Sequence, residues 1–291
     1  TLTSTGNGLC NAVSDNVQLT FTLPPTANAG ADQTLCSNNA AISLNGSVTI
    51  ATGGVWSGGL GVFTPNNNTL NATYNPTAGE IASGSVTLTL TTTGNGNCNA
   101  VSDNMTITIT PPPTANAGVD QTVCANNANV TLNGSFNLAS GGQWTGGLGI
   151  FTPSNTALNA IYTPTSGEIA SGSLTLTLTT TGNGNCNAVT DNMTITITPA
   201  PTVNAGTDQT VCGNNALVTL NGSVTIASGG IWSGGTGTFT PNNTTLNATY
   251  MPSAAEITAG TVTLTLTTTG NGSCNSETDN MIITITPAPQ V

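Results

Sequence analysis

Residues Thr87–Pro111 read TLTLTTTGNGNCNAVSDNMTITITP. Leu88 and Leu90 alternate with Thr87, Thr89 and Thr91, and after a Gly-Asn-Gly-Asn cluster Met105, Ile107 and Ile109 alternate with Thr106, Thr108 and Thr110. Period-two alternation on both sides of a turn cluster predicts a β-hairpin with one apolar face. Val86, Leu88 and Leu90 face inward opposite Met105, Ile107 and Ile109, and the threonines form an outer ladder whose cross-strand pairs stabilise the sheet modestly. The stretch returns almost unchanged at Thr175–Pro199 and more loosely at Thr263–Pro287. The chain opens inside another copy, because Thr1-Leu2-Thr3 aligns with Thr89-Leu90-Thr91.

The period is 88 residues: it separates Trp56, Trp144 and Trp232, then Cys36, Cys124 and Cys212, then Cys10, Cys98, Cys186 and Cys274. Internal repeats decide the architecture before any local reading does. The units fall at 26–113, 114–201 and 202–289, with 1–25 as the C-terminal hairpin of a preceding repeat and 290–291 as the start of a further one. The expectation is a window on a longer tandem array; an engineered or proteolytic fragment is the alternative.

One unit carries seven short strands separated by turn signals. In the first these are Asp32–Leu35, Ala41–Val48, Val55-Trp56, Gly61–Thr64, Leu70–Tyr74, Ser85–Thr93 and Asn104–Thr110. Thr77-Ala78-Gly79-Glu80 has the spacing of a capping box, repeated at Thr165…Glu168 and Ser253…Glu256, and Gly84 supplies a helix stop. This spacing of strands predicts an all-β fold: a tandem array of immunoglobulin-like β-sandwich domains.

The chain of 291 residues has no Lys, Arg or His and eleven acidic residues, for a net charge of -11. Without cations it has nothing to displace counterions from phosphate or to hold an anionic membrane surface. Nucleic-acid binding and direct membrane insertion are therefore not expected. Without His or Lys, a Ser, Thr or Cys nucleophile has no positioned base, and no carboxylate pair is suggested by spacing, so no enzyme is expected. Trypsin-like proteases have no site to cut.

ANAGADQT at Ala27–Thr34, ISLNGS at Ile42–Ser47 and Trp56 on the next strand resemble the polycystic-kidney-disease (PKD) domain, an immunoglobulin-like sandwich. The later units carry ANAGVDQT…VTLNGS and VNAGTDQT…VTLNGS. After the Trp the family's Asp-Phe-Gly-Asp-Gly gives way to Ser57-Gly58-Gly59, so the unit is PKD-like. With a Cys after DQTV or DQTL and another after GNGN or GNGS, the whole unit is similar to repeats of giant secreted surface proteins of Bacteroidota, some of them gliding-motility-type adhesins. That resemblance implies an extracellular, cell-surface location and no catalytic residues.

Two Cys at fixed positions in each repeat imply disulfides and an oxidising compartment. Three pairings keep the 88-residue symmetry. Bonds within a unit are Cys36–Cys98, Cys124–Cys186 and Cys212–Cys274. In an immunoglobulin-like order these lie at opposite ends of the sandwich, ~25 Å apart for strands of about eight residues, whereas a disulfide needs Cα atoms within about 7 Å. The pairing Cys10–Cys36 and Cys98–Cys124 spans two domain lengths. The pairing Cys36–Cys186 and Cys124–Cys274 joins the bottom of one unit to the top of the next, leaving Cys10, Cys98 and Cys212 to pair outside the window. Free thiols or zinc remain as alternatives, without a CxxC or a His to support the metal.

Asp32, Asp103, Asp120, Asp191 and Asp208 are weak calcium candidates near domain junctions, against the plainer reading of turn chemistry. No other cofactor is expected. Trp56, Trp144 and Trp232 are expected in the core, against stacking on sugars. The functional expectation is a structural stalk or filament segment of a long surface protein, an adhesin, stiffened by disulfides. Its partners are neighbouring repeats of the same chain and, through low surface charge, identical chains laterally. The alternatives are a glycan- or protein-binding module in each repeat, or the subunit of a multi-chain fibre.

Overall fold

A computed structural model describes residues 1–290; the expected start of a further repeat at 290–291 lies in part outside them. The chain divides into two compact units, one of Thr1–Pro112 with Asn183–Asn187, the other of Pro113–Gly182 with the chain from Ala188 onward.

The first unit opens with β1 (Leu2–Thr3) and β2 (Ser14–Asp15), which pair antiparallel as Leu2↔Asp15 and Thr3↔Ser14. A sandwich follows: β3 (Thr26–Asn28), β4 (Gln33–Cys36), β5 (Ile42–Ser43), β6 (Ser47–Thr49), β7 (Gly53–Ser57), β8 (Val62–Thr64), β9 (Thr73–Asn75), α1 (Ala78–Ser83), β10 (Ser85–Thr93) and β11 (Ser102–Thr110). One sheet has the order β4-β11-β10-β7, with β4 parallel to β11 and the other neighbours antiparallel. The opposing strands are the β3-β6 pair and the three-stranded β5-β9-β8 sheet. A parallel edge strand beside the closing hairpin, packed over the β3-β6 pair and the β5-β9-β8 sheet, is an immunoglobulin-like arrangement. The protein is all-β in this sense: a tandem series of immunoglobulin-like sandwiches.

The hairpin β10–β11 has the register read from the sequence, Val86↔Ile107 and Leu88↔Met105. Its alternation continues one residue further than the apolar pattern, because Thr92 also faces the core at 1% exposure. The Thr92 hydroxyl accepts from Val101 N at 3.0 Å, so burial leaves no polar group unpaired there.

Several strand bounds differ from the sequence reading: Val55-Trp56 extends to Gly53–Ser57 and Asn104–Thr110 to Ser102–Thr110. Thr26–Asn28 is an additional strand, paired with Ser47–Thr49, where the sequence reading placed no element. The single strand expected at 41–48 is split in two at Gly46, where a Cβ would lie 2.8 Å from the Trp56 ring and 2.9 Å from Leu90. Residues 70–72 form a turn, closed by Ala72 N donating to Thr69 O at 3.2 Å, and the strand starts at Thr73.

The second unit contains the same pattern twice. Gln121–Cys124, Thr190–Thr198, Ser173–Thr181 and Gly141–Thr145 form one four-stranded sheet, and Gln209–Cys212, Thr278–Thr286, Thr261–Thr269 and Gly229–Ser233 form another in the same order. Each 88-residue period has its own core, built on Trp56, Tyr74 and Leu88, on Trp144, Tyr162 and Leu176, and on Trp232, Tyr250 and Leu264. The three Trp side chains are 0% exposed. Truncating one to Ala removes about 3–5 kcal/mol, a large part of what a domain this size can hold.

Candidate functional site at the cysteine turns and tips

Each repeat places one Cys at the end of a short edge strand and one in the loop of its closing hairpin. The first lies in a tight turn: Asn39, Asn127 and Asn215 donate N–H to Cys36, Cys124 and Cys212 at 2.9, 2.9 and 2.8 Å. The turn is anchored to the last strand, since Ser37, Ala125 and Gly213 donate N–H to Thr110, Thr198 and Thr286 at 2.9, 2.8 and 2.8 Å. The hairpin loop forms a tip in which Cys10, Cys98, Cys186 and Cys274 donate N–H to the Asn three residues earlier, at 3.0–3.1 Å.

The structure contains two disulfides, Cys36–Cys186 and Cys124–Cys274, with Cα atoms 4.9 and 5.0 Å apart and the same sequence separation of 150. Cys10, Cys98 and Cys212 are free, and neither Cys36–Cys98 nor Cys124–Cys186 is formed. Each bond runs from the turn of one 88-residue period to the tip of the next.

Beside each sulfur pair lies a clasp of two asparagines. In the second unit Asn126 Nδ2 donates to Asn275 O at 3.1 Å, and Asn275 N donates to Asn126 Oδ1 at 3.1 Å. The side-chain amide of the turn thus pairs with the tip backbone as a neighbouring strand would. Asn275 Nδ2 closes the ring by donating to Asn126 O at 3.0 Å. In the first unit Asn38 and Asn187 make the same three bonds at 3.1, 3.1 and 2.8 Å. Asn185 Nδ2 adds a bond to Thr34 O at 2.9 Å there. The second-unit clasp has its own addition, Asn126 Nδ2 to Glu277 Oε1 at 2.7 Å. The sequence reading singled out the cysteines and not the asparagines. The signal was present in Cys-x-Asn-Asn three times and Cys-Asn four times at fixed spacing.

A second polar cluster fixes the end of each sandwich near the helical turn. Glu80, 9% exposed, completes the predicted capping box with Thr77. It also accepts from the Tyr74 hydroxyl at 2.7 Å and from Leu60 N at 2.8 Å, so a core tyrosine is tied to the helix cap. For the equivalent Glu168, burial pushes the pKa up, but the bonds from Tyr162, Leu148 N, Thr165 N and the Thr165 hydroxyl overcome it and hold the carboxyl at about 2. Burial, and then the bond to Glu168, push Tyr162 up to about 12. Glu80 and Glu256 are lowered in the same way. With these bonds the carboxylates act as fixed acceptors.

The aspartates proposed for calcium each accept a backbone N–H. Asp32, Asp120 and Asp208 take Thr106 N, Thr194 N and Ile282 N, all at 2.8 Å. Asp103 and Asp191 take Ala29 N and Ala117 N at 2.8 Å. They fasten the first strands of the sandwich to the last. Among the described residues no three His, Cys, Asp or Glu side chains come together. The buried Trp rings offer no platform on which a sugar could stack.

No protein-family model matches the chain, and no curated protein matches it. Among solved structures it is similar to an I-band fragment from titin, at 13% identity, covering 92% of this chain and all of that fragment with a TM-score of 0.45. It is also similar to the Sidekick-1 immunoglobulin domains 1–5, at 12% identity over 91% of this chain and 60% of that one, TM-score 0.32. A mouse cadherin-23 fragment matches at 12% identity over 91% of this chain and 99% of its own, TM-score 0.34. The immunoglobulin-like assignment stands on the strand order itself. No helix among the described residues is long and apolar enough to cross a membrane.

Proposed function

We propose that the chain is a load-bearing segment of an extracellular stalk. Its PKD-like sandwiches, at 26–113, 114–201 and 202–289 with 1–25 as the hairpin of a further one, are fastened each to the next by a turn-to-tip disulfide. The stalk belongs to a bacterial cell-surface adhesin of the Bacteroidota type. The observation that carries the reading is the pair of disulfides, at an identical separation of 150 and each with the same asparagine clasp. Disulfides on this scale fit an oxidising compartment. A surface without cations and with few charges fits a spacer better than a binder of charged ligands.

Single-molecule extension of the full chain by its ends tests the mechanical role. With both bonds intact the taut covalent path is about 115 residues, so complete unfolding stretches the chain to a contour length of roughly 400 Å, against roughly 1,000 Å after reduction. Force–extension curves unchanged by reduction would show that the bonds carry no load, and the stalk reading would fall.

A further inference from the structure

We propose that Asn183 and Asn271, in the two disulfide-bonded tips, are sites of spontaneous deamidation, and that the change loosens the disulfide beside each of them. The reaction needs no partner and no load on the chain.

In deamidation the backbone nitrogen of the following residue attacks the asparagine Cγ. The N–Cγ bond forms, the Cγ–Nδ2 bond breaks and ammonia leaves. Water then opens the resulting imide at one of its two carbonyls, giving aspartate or isoaspartate. Overall one water enters and one ammonia leaves, with no change of oxidation state. Asn-Gly favours the ring closure because glycine has no Cβ to hinder it. Each 88-residue repeat holds this dipeptide in two settings. Asn45-Gly46, Asn133-Gly134 and Asn221-Gly222 lie at the break between two short strands, and Asn95-Gly96, Asn183-Gly184 and Asn271-Gly272 lie in the hairpin loop.

Side-chain exposure points to the first set, since Asn45, Asn133 and Asn221 are all exposed. The nucleophile points to the second. Gly46, Gly134 and Gly222 donate their N–H to Leu70 O, Leu158 O and Leu246 O at 3.1, 3.0 and 3.2 Å. A Cβ on them would lie 2.7–2.8 Å from the Trp56, Trp144 or Trp232 ring, so this backbone is bonded and packed and does not swing onto its neighbour. Gly184 and Gly272 are exposed at φ 60°, with nothing within 4 Å of where a Cβ would stand. Their N–H groups have no hydrogen-bond partner among the described residues. Both tips are docked through Cys186 and Cys274, so this freedom belongs to the loop itself.

The product does not fit the tip. Asn271 Nδ2 donates to Thr268 O at 3.2 Å, and Asn271 O accepts from Cys274 N at 3.0 Å. Aspartate replaces that donor with a carboxylate oxygen facing a carbonyl, where Oδ1 is already buried without a partner; a charge in that place is costly. Isoaspartate runs the main chain through Cγ and turns the carbonyl that accepted Cys274 N into a free carboxylate. Either product removes a bond that shapes the loop carrying Cys274. Cys186 N donates to Asn183 O in the same way, at 3.1 Å.

The test ages the full chain, its free thiols alkylated, in mildly alkaline buffer, then reduces it and cuts it after Asp and Glu. The carboxylates place the six steps in separate peptides, 33–80, 81–103, 121–168, 169–191, 209–256 and 257–277, and mass spectrometry reads each conversion of amide to acid. Asn183 and Asn271 are expected to convert at least about tenfold faster than Asn45, Asn133 and Asn221, because a bonded N–H must first give up its hydrogen bond and leave its packing. Gly272→Ala, in open space, should slow Asn271 and leave Asn183 as the internal control. In a glutathione titration, aged chains should lose both disulfides several-fold more readily than fresh ones. Aged Gly272→Ala should keep its own fresh value at Cys124–Cys274 alone. Strand steps that convert as fast as tip steps, tips that do not convert, or an unslowed Asn271 in the variant overturn the sites. Equal reduction midpoints in aged and fresh chains overturn the link to the disulfides.

Discussion

Ile226 sits at φ 66°, and its equivalents Ile50 and Leu138 at 65° and 57°. The left-handed region crowds a β-carbon against the following carbonyl and costs roughly 1–2 kcal/mol, with β-branched residues the least suited to it. All three side chains are more than half exposed, so little burial offsets the strain. Ile226→Asn is therefore expected to stabilise the chain by about 1 kcal/mol, seen as a rise in melting temperature with unchanged circular dichroism; a lower melting temperature would mean that the apolar side chain is held by contacts. The sequence does not reveal this strain, since nothing in a Thr-Ile-Ala run calls for the left-handed region. Gly46 is a similar case. It falls inside the strand expected at Ala41–Val48, and the break it makes there appears only once the Trp56 ring lies against it.

Among the elements, the closing hairpin was legible because one apolar face and one threonine face repeat over nine residues in each strand. The short strands were less so. Three residues at Thr26–Asn28 carry one half-buried side chain, too little for a period to show. The helix cap was legible from Thr77 and Glu80, but not its link to Tyr74, which depends on how the strands pack. That link sets the response to acid. The folded pKa of Glu168, about 2, lies below its ordinary value of 4.5, so the unfolded chain binds the proton more readily. Stability from this group is complete above about pH 4.5 and is lost as pH falls through about 2. Glu168→Gln is expected to lower stability at neutral pH by about 1–3 kcal/mol and to flatten the acid limb of a denaturation curve; a variant with the wild-type acid limb would remove the carboxylate from that role. The clasp was hidden for a different reason, because Asn is common in this chain and only docking marks out Asn126. Asn126→Ala should make Cys124–Cys274 several-fold easier to reduce in a glutathione titration, with Cys36–Cys186 unaffected. Equal shifts of both bonds would point to general destabilisation instead.

For the whole molecule, the 88-residue period and the immunoglobulin-like class were both readable, because repetition multiplies a weak local signal three times. Turn-to-tip pairing was the expected one of three symmetric choices, singled out by the immunoglobulin-like strand order, since Cys spacing alone does not separate them. The order of the bonded cysteines along the chain, 36, 124, 186 and 274, has a consequence of its own: the two loops overlap instead of sitting side by side. A single backbone break anywhere between Cys36 and Cys274 is bridged by at least one sulfur bond, and a break between Cys124 and Cys186 is bridged by both. A chymotrypsin-like nick after Leu148, which is 84% exposed, should leave one band without reductant and two with it. Two bands without reductant would disprove the overlap. The two joins are lapped, as in a splice, so that covalent continuity survives a cut that would part an unbridged chain.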